Sequence, residues 1–145
     1  MIEYTIARQE HLAGILSLYK QLVPDDVPIG MDEAGKIWKK SEQHGVKYFV
    51  ATDGALVVAS IYMAIIPNLT RNGRSNGFIE NVITDEKYRR KGIGKKLMKM
   101  AVEYARENNC YKIVLISGMK RKEAHLFYES CGFDGNSKRG FEMRF

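Results

Sequence analysis

The sequence predicts an α/β fold in which a mixed central β-sheet is flanked by helices. Along its 145 residues, short β-branched and aromatic runs alternate with stretches of helical periodicity. An Asp53-Gly54 turn signal joins two strand-like segments into a hairpin. A third strand, a glycine-containing junction, an amphipathic helix and a continuous apolar run follow, which indicates a parallel pair of strands. We expect one domain over residues 1–145, because chains of about 100 to 200 residues usually build a single core.

The first half of the chain predicts a strand, two helices and the hairpin. Residues 2–6 alternate apolar and polar side chains as in a half-buried strand, and apolar residues then recur at helical spacing from Leu12 to Leu22. After a loop rich in proline and aspartate, Asp32 is the expected N-cap of a short second helix. The hairpin strands are expected over residues 46–52 and 55–66.

The second half predicts two more strand and helix pairs. A strand over residues 78–84 is followed by a helix whose apolar face continues to about Asn108. The apolar run 112–117 is typical of a strand buried on both faces. Residues 121–131 predict a further helix, and a last strand is expected over 140–145. The predicted order is therefore β-α-α-β-β-β-α-β-α-β, with the parallel pair at the centre of the sheet.

Residue composition argues against several classes of protein. No apolar run approaches the ~20 residues of a membrane span, and no basic segment followed by an apolar stretch marks a secretory signal. A cytoplasmic protein with no membrane partner is expected. Cys110 and Cys131 are far apart and lack both a CxxC pattern and a neighbouring His cluster, which disfavours a zinc site and a disulfide framework. We therefore expect no metal.

The net charge of +6 is concentrated in one segment. Residues 85–99 contain two acidic side chains and seven basic ones, namely Lys87, Arg89, Arg90, Lys91, Lys95, Lys96 and Lys99. Such a patch predicts a polyanionic partner, either nucleic acid or a phosphate-rich cofactor, although a solvated helix face has the same composition.

The segment Arg89–Lys95 places two glycines between a strand and an amphipathic helix. Backbone N–H groups at a helix start point outward and the helix dipole favours negative charge, so a pyrophosphate suits this position. A Walker A loop is excluded because Arg89 and Lys96 stand where it needs glycine and Ser or Thr, and a Rossmann fingerprint fails at Leu97. RNA-binding patterns lack their stacking aromatics here. A nucleic-acid-binding module using residues 85–99 is therefore supported by charge alone.

Two motifs in the second half of the chain point to one family. Arg89–Gly94 has the form Arg or Gln, x, x, Gly, x, Gly or Ala, and Ala124–Phe133 has the form A-x-x-F-Y-x-x-x-G-F. Together they resemble the acetyl-CoA loop and a later helix of the GNAT family of N-acetyltransferases. The resemblance covers residues 78–133 by motif and the whole chain by element order. It implies a GNAT-like acyl-CoA N-acyltransferase fold with acetyl-CoA as cosubstrate.

The resemblance also implies a cofactor site. Val82, Ile83 and Thr84 match the strand whose backbone pairs with the pantetheine arm of acetyl-CoA. The loop that matches the pyrophosphate-binding amides of the family consists of Arg89, Arg90, Lys91, Gly92, Ile93, Gly94 and Lys95. The family often has an asparagine where Arg121 stands, so a contact between this position and the cofactor is left open.

Acetyl transfer to an amine needs a neutral amine, a polarised thioester carbonyl and a proton for the leaving thiolate. A lysine-like amine of pKa about 10.4 costs about 4.6 kcal/mol to deprotonate at pH 7, so a general base is useful. The family frequently places a catalytic carboxylate near the position of Glu80. Tyr128 matches the family tyrosine that protonates the departing sulfur, and a phenol retains its proton at pH 7. A solvent-facing glutamate and a core aromatic are the structural alternatives for these two residues.

The sequence therefore predicts an enzyme that transfers the acetyl group of acetyl-CoA directly to a primary amine. The acceptor is an amine-bearing small molecule or a protein lysine, and polyamines, amino sugars and amino acids are all compatible. Tyr62 and Glu33 are candidates for the acceptor pocket. A noncatalytic acyl-CoA-binding sensor on the same fold is the alternative, and homodimerisation is left open.

Overall fold

Five strands form one mixed sheet in the computed structural model, which describes residues 1–145. In chain order they are β1 (Ile2–Ile6), β2 (Val46–Asp53), β3 (Leu56–Ile66), β4 (Ser75–Thr84) and β5 (Cys110–Leu115). The strands lie side by side in that same order, and every pair is antiparallel except β4 and β5. The predicted mixed α/β sheet is confirmed.

Four α-helices cover the two faces of this sheet. They are α1 (Leu12–Leu22), α2 (Met31–Gln43), α3 (Ile93–Glu107) and α4 (Lys122–Ser130), with short 3-10 helices at residues 9–11, 71–73 and 86–88. The apolar stripes of α1 and α2 pack on one face together with Val50 and Ile83. Those of α3 pack on the other face with Phe49 and Ile79. None of the four α-helices combines the length and the hydropathy that a membrane crossing requires.

The hairpin between β2 and β3 forms as the turn signal predicts. Its strands pair from Val46 opposite Ala64 to Asp53 opposite Leu56. Gly54 in the connection has φ +58°, a left-handed conformation that glycine adopts without steric penalty. This hairpin builds the centre of the sheet, so local turn chemistry positions the strands on which β1 and β4 assemble.

The start of α2 differs from the prediction. The N-cap is Gly30 rather than Asp32, and the helix begins at Met31. Asp32 and Glu33 instead lie in the first turn, where their negative charge interacts favourably with the helix dipole.

The strand predicted over residues 112–117 forms as β5, but its expected burial on both faces and the last strand are wrong. Residues 140–145 form no strand, so β5 is an edge strand and the parallel pair lies at the edge of the sheet rather than at its centre. Because nothing covers its outer edge and one of its faces, β5 is not buried on both sides. Its exposed side chains include Val114, which retains 39% of its accessible surface.

The second half of β4 has a free backbone edge. Pairing with β5 ends at Ile79, opposite Leu115, where β5 itself ends, whereas pairing with β3 continues to Thr84. The register with β3 shifts between Ser60 and Tyr62, and Asn81 has φ +51°, which is the geometry of a β-bulge. The main chain of residues 80–84 is therefore bent and available for hydrogen bonding on the β5 side.

Candidate active site

A cleft of about 510 Å³ opens between the free edge of β4 and the start of α4. Its volume falls within the roughly 300 to 1,000 Å³ range of small-molecule sites. Val82, Ile83 and Thr84 line it from β4, and Tyr128 lines it from α4. The other lining residues are Arg89, Lys120, Arg121, Lys122, Glu123, Ala124 and Phe127. The fold thus brings the β4 segment and Tyr128, 44 positions apart in sequence, into one site.

The cleft is strongly basic. Arg89 and residues 120–122 contribute four positive charges to its lining, against one negative charge from Glu123. Glu123 faces Arg90 at 3.9 Å, but both side chains are exposed, so this ion pair is weak. A concave surface with this charge balance attracts polyanions. The sequence analysis missed Lys120 and Lys122, although the run of three basic residues at the start of α4 was a visible signal.

The loop before α3 presents backbone donors. Arg90 (φ +61°) and Gly92 (φ +76°) are both left-handed, and they turn the chain from β4 into the helix. No side chain caps α3, and the first helical bond runs from the Lys96 N–H to the Gly92 carbonyl at 3.1 Å. The N–H groups of the first turn therefore have no intrahelical acceptor and are free to bind an anion.

Hydrogen bonds fix this loop to the body of the protein. The Arg89 Nε donates to the Thr84 carbonyl at 3.1 Å, and the Tyr88 hydroxyl donates to Asp53 at 2.8 Å. The Gln21 side chain of α1 donates a hydrogen bond to the Asp85 carboxylate at 2.9 Å. Desolvation alone would raise the pKa of Asp85, but hydrogen bonds from Gln21 and the Lys87 N–H, together with the charges of Lys87 and Arg89, lower it. The loop is therefore preorganised before any ligand binds.

Of the predicted pyrophosphate loop, only Arg89 is among the residues that line the cleft. The remaining predicted positions, Arg90, Lys91, Gly92, Ile93, Gly94 and Lys95, lie beside it at the start of α3. Ile93 is buried in the core, and the Lys91 ammonium lies 5.1 Å from the centre of the Tyr88 ring. The basic side chains of the loop, Arg89, Arg90, Lys91 and Lys95, are all exposed, so the loop presents cations as well as backbone donors to an anion.

The two glycines of the loop are required for different structural reasons. Gly92 has the left-handed φ and open space around the position of a Cβ atom. A Cβ at Gly94 would lie 3.1 Å from the Thr84 hydroxyl and 3.5 Å from the Phe127 ring. Gly92 therefore allows the turn, and Gly94 allows α3 to pack closely against β4 and α4.

Tyr128 packs against other aromatic rings and also lines the cleft. Its ring contacts Phe127 and Phe133 edge-on, with centroids 5.4 and 6.2 Å apart. Burial raises the pKa of Tyr128 above its usual value, although the nearby Arg121 guanidinium opposes the shift. The phenol therefore retains its proton at neutral pH while it lines the cleft. The two interpretations from the sequence, core aromatic and proton donor, are compatible in this geometry.

Glu80 lies on β4 and is on the face of the sheet that α1 and α2 cover, opposite to the face that α3 covers. It is exposed and lies directly opposite Tyr62 in the β3–β4 register. Ile83 packs on the same α1 side, whereas Val82 packs toward α3. Glu80 does not line the cleft that contains Tyr128.

The two candidates for the acceptor pocket behave differently. The Tyr62 ring packs edge-on against the Tyr48 ring, with centroids 5.4 Å apart. Burial raises the pKa of Tyr62, and the nearby Tyr48 and Glu80 raise it further. It is therefore part of the surface around Glu80. Glu33 is exposed in the first turn of α2.

A buried polar group that the sequence analysis missed lies behind this surface. The hydroxyls of Tyr19 and Ser60 are buried without a direct hydrogen-bond partner, and the side chain of Asn81 also faces Tyr19. Burial strongly raises the pKa of Tyr19. These residues come from α1, β3 and β4, so no local sequence signal could have grouped them.

Comparison with known proteins agrees with this geometry. The model of the acetyltransferase (GNAT) family matches residues 10–133. A glucosamine 6-phosphate N-acetyltransferase from Trypanosoma brucei brucei is 31% identical over 95% of this chain and 92% of its own.

Solved structures extend the match to nearly every residue. A putative acetyltransferase from Agrobacterium tumefaciens is 40% identical, with a TM-score of 0.93 over 99% of both chains. A Trypanosoma brucei acetyltransferase is 28% identical, with a TM-score of 0.88 over 100% of both chains. The family and fold that the two motifs predicted are confirmed: this chain belongs to the GNAT family of acetyltransferases.

Proposed function

We propose that the protein transfers the acetyl group of acetyl-CoA to a primary amine by direct attack of that amine. One observation carries the proposal: the free edge of β4 at residues 80–84 lies beside a basic cleft that also contains Tyr128. One continuous surface then provides a backbone edge for an extended ligand arm, a site for an anion and a proton donor.

The residues of the cleft fit acetyl-CoA. The unpaired main chain of residues 82–84 can hydrogen-bond an extended, amide-bearing arm much as a neighbouring strand would. The first turn of α3, together with Arg89 and residues 120–122, suits a pyrophosphate. When bound, acetyl-CoA would supply the activated acyl thioester, and the protein would supply alignment and proton transfer.

Glu80 and Tyr128 divide the proton transfers between them. Glu80 accepts the proton that the amine loses as the new C–N bond forms, either directly or through one water. Tyr128 donates its phenolic proton to the sulfur as the C–S bond breaks. Main-chain N–H groups near Val82 stabilise the charge on the carbonyl oxygen. Burial raises the pKa of the Cys131 thiol, which makes it a poor nucleophile and supports transfer without an acyl-enzyme.

The acceptor is proposed to be an amine-bearing small molecule, and glucosamine 6-phosphate is the first compound to test. This choice follows from the relative that matches 95% of the chain. A screen of amino sugars, polyamines, amino acids and lysine peptides, read out as release of free CoA thiol, distinguishes the acceptor classes. A protein that binds acetyl-CoA but turns over with none of them would instead support the noncatalytic sensor.

Acetyl-CoA is expected to raise the melting temperature of the protein. A ligand that binds only the native state at a hundredfold excess over its Kd stabilises that state by about 2.7 kcal/mol. For a domain of this size the shift is roughly 5 to 10 °C. Differential scanning fluorimetry with acetyl-CoA, dephospho-CoA and no ligand measures it. Unchanged melting in all three samples would contradict the assignment of the cofactor.

Gly92→Val is expected to remove most of that ligand-induced shift. A β-branched side chain there occupies the open space beside the first turn of α3 and also strains a residue at φ +76°. Gly54→Val is the matched control, because Gly54 has φ +58° and equally open surroundings but lies in the β2–β3 turn. Both variants should lose a similar 1 to 2 kcal/mol or so without ligand. Equal acetyl-CoA shifts in the two variants would exclude the loop from the site.

A further inference from the structure

Arg121 lies at the start of α4, on the face of the helix that carries Tyr128. It is the N-cap residue of α4, and seven positions, or about two helical turns, separate it from Tyr128. Both residues line the cleft. Because helical side chains lean toward the N-terminus of their helix, the Tyr128 phenol is directed toward the turn that contains Arg121. The two side chains therefore converge on one part of the cleft.

The turn before α4 holds the base of the Arg121 side chain in place. The Arg121 N–H donates to the Gly118 carbonyl at 3.0 Å, and the His125 Nε2 lies 2.8 Å from the same oxygen. The His125 N–H donates to the Arg121 carbonyl at 3.1 Å. A Cβ at Gly118 would lie 3.6 Å from the Cγ and Cδ atoms of Arg121, so the aliphatic stem of Arg121 passes directly over this glycine.

The charge of Arg121 influences the Tyr128 phenol. Burial raises the pKa of Tyr128, the Arg121 guanidinium opposes that rise, and the Cys131 thiol adds to it. The carboxylate in the lining of the cleft, Glu123, faces Arg90 at 3.9 Å and is exposed. Arg121 is therefore a positive group that acts on the oxygen from which the leaving sulfur would take its proton.

Acetyl transfer creates negative charge at this point of the cleft. When the C–S bond of the thioester breaks, its electron pair stays on the sulfur, and the proton of Tyr128 follows it and leaves a phenolate. A free thiol has a pKa of about 8.5 and a phenol one of about 10, so this proton transfer is unfavourable by about 30-fold. Burial of Tyr128 makes it less favourable still. A fixed cation that stabilises both anions compensates for this cost.

We propose that Arg121 stabilises the anion that forms as CoA leaves, first on the sulfur and then on the Tyr128 oxygen, and that it does not bind a phosphate. The inference rests on the proposed function and gives Arg121 a different role from Lys120 and Lys122, which stay with the anion site. Arginine suits this role because its guanidinium remains charged and donates hydrogen bonds in a fixed fork. The phenolate then regains its proton from water.

CoA itself tests this role in the absence of any acceptor. CoA has an ionisable thiol and acetyl-CoA does not, so the ratio of their affinities isolates the charge on the sulfur. We expect this ratio to rise about five- to tenfold in favour of CoA between pH 7 and pH 9.5, as for a thiol whose pKa falls by about one unit on binding. Isothermal titration calorimetry at constant ionic strength measures both affinities. Acetyl-CoA corrects for the titration of the other groups that face the site, which are Tyr128, Cys131, Arg89, Lys120, Lys122 and Glu123.

Arg121→Gln should lose most of this rise and still bind acetyl-CoA within about twofold of the unsubstituted protein. Arg121→Lys keeps a positive charge and should retain part of the rise. In turnover, Arg121→Gln should lower kcat about 10- to 100-fold and leave the KM for acetyl-CoA unchanged. Lys120→Gln is the matched control, because it removes a charge from the same turn and should weaken both ligands equally while it keeps the rise.

Two results would overturn the role of Arg121. One is a rise in Arg121→Gln as large as in the unsubstituted protein. The other is an equal loss of affinity for CoA and acetyl-CoA in that variant, which would make Arg121 a phosphate ligand. Failure of the proposed function gives a different result: the unsubstituted protein would bind neither ligand at either pH, and both conclusions would then be wrong.

Discussion

Tyr128→Phe is expected to lower kcat by about 10²- to 10⁴-fold, the usual contribution of a positioned general acid. The substitution removes the proton that the leaving thiolate needs and keeps the ring that packs against Phe127 and Phe133. The affinity for acetyl-CoA and the melting temperature should therefore change little. Initial rates of CoA release and a titration of acetyl-CoA by fluorimetry measure the two effects separately.

The matched control is Tyr104→Phe. Tyr104 is another partly buried tyrosine that packs edge-on against Phe49, outside the cleft, so the same chemical change should leave kcat unaltered. The pH profile gives a second readout. Because burial raises the pKa of Tyr128 above 10.0, the enzyme should lose activity through deprotonation of Tyr128 only above pH 10. Near-normal turnover by Tyr128→Phe would assign the proton donor to water or another residue.

Glu80→Gln is expected to reduce the rate by about 10²-fold or more at pH 7 and to recover as the pH approaches the pKa of the acceptor amine. The base is needed because deprotonating a lysine-like amine at pH 7 costs about 4.6 kcal/mol. Bulk deprotonation replaces it at higher pH. The rate of CoA release from pH 6 to pH 10, at saturating acetyl-CoA, measures the recovery.

Glu3→Gln is the control for Glu80→Gln, because Glu3 is also an exposed strand glutamate but lies on β1, at the opposite edge of the sheet. It should leave the whole pH profile unchanged. A deficit of Glu80→Gln that persists equally at all pH values would make Glu80 a positioning residue for the amine rather than its base.

Much of the fold was accessible from the sequence because its signals are local. The Asp53-Gly54 turn predicts the hairpin. The apolar periodicity from Ile93 predicts α3, and the helix buries Ile93, Leu97, Ala101 and Ala105 of that predicted face. The motif at Arg89–Gly94 predicts the junction before the helix. Each of these features depends on neighbours within a few positions, so the residues themselves contain enough information.

The candidate site was only partly accessible. Its basic character and Tyr128 could be anticipated, and the basic run 120–122 is visible in the sequence, but only the packing of α4 beside β4 places that run in the cleft. Residues two apart in a regular strand share one face of the sheet, so the sequence predicts Glu80 and Val82 on the same side. The bulge at Asn81 interrupts this period of two and places them on opposite sides.

The sequence by itself determined the family, the order of its elements and the loop before α3, since these depend on local periodicity and on short motifs. Tertiary structure alone decided which strand edges are covered. The run 112–117 has the composition of a buried strand, and 140–145 has the pattern of its neighbour, yet β5 lies open and the last segment is exposed. Strand pairing is a long-range contact whose partner the local pattern does not specify.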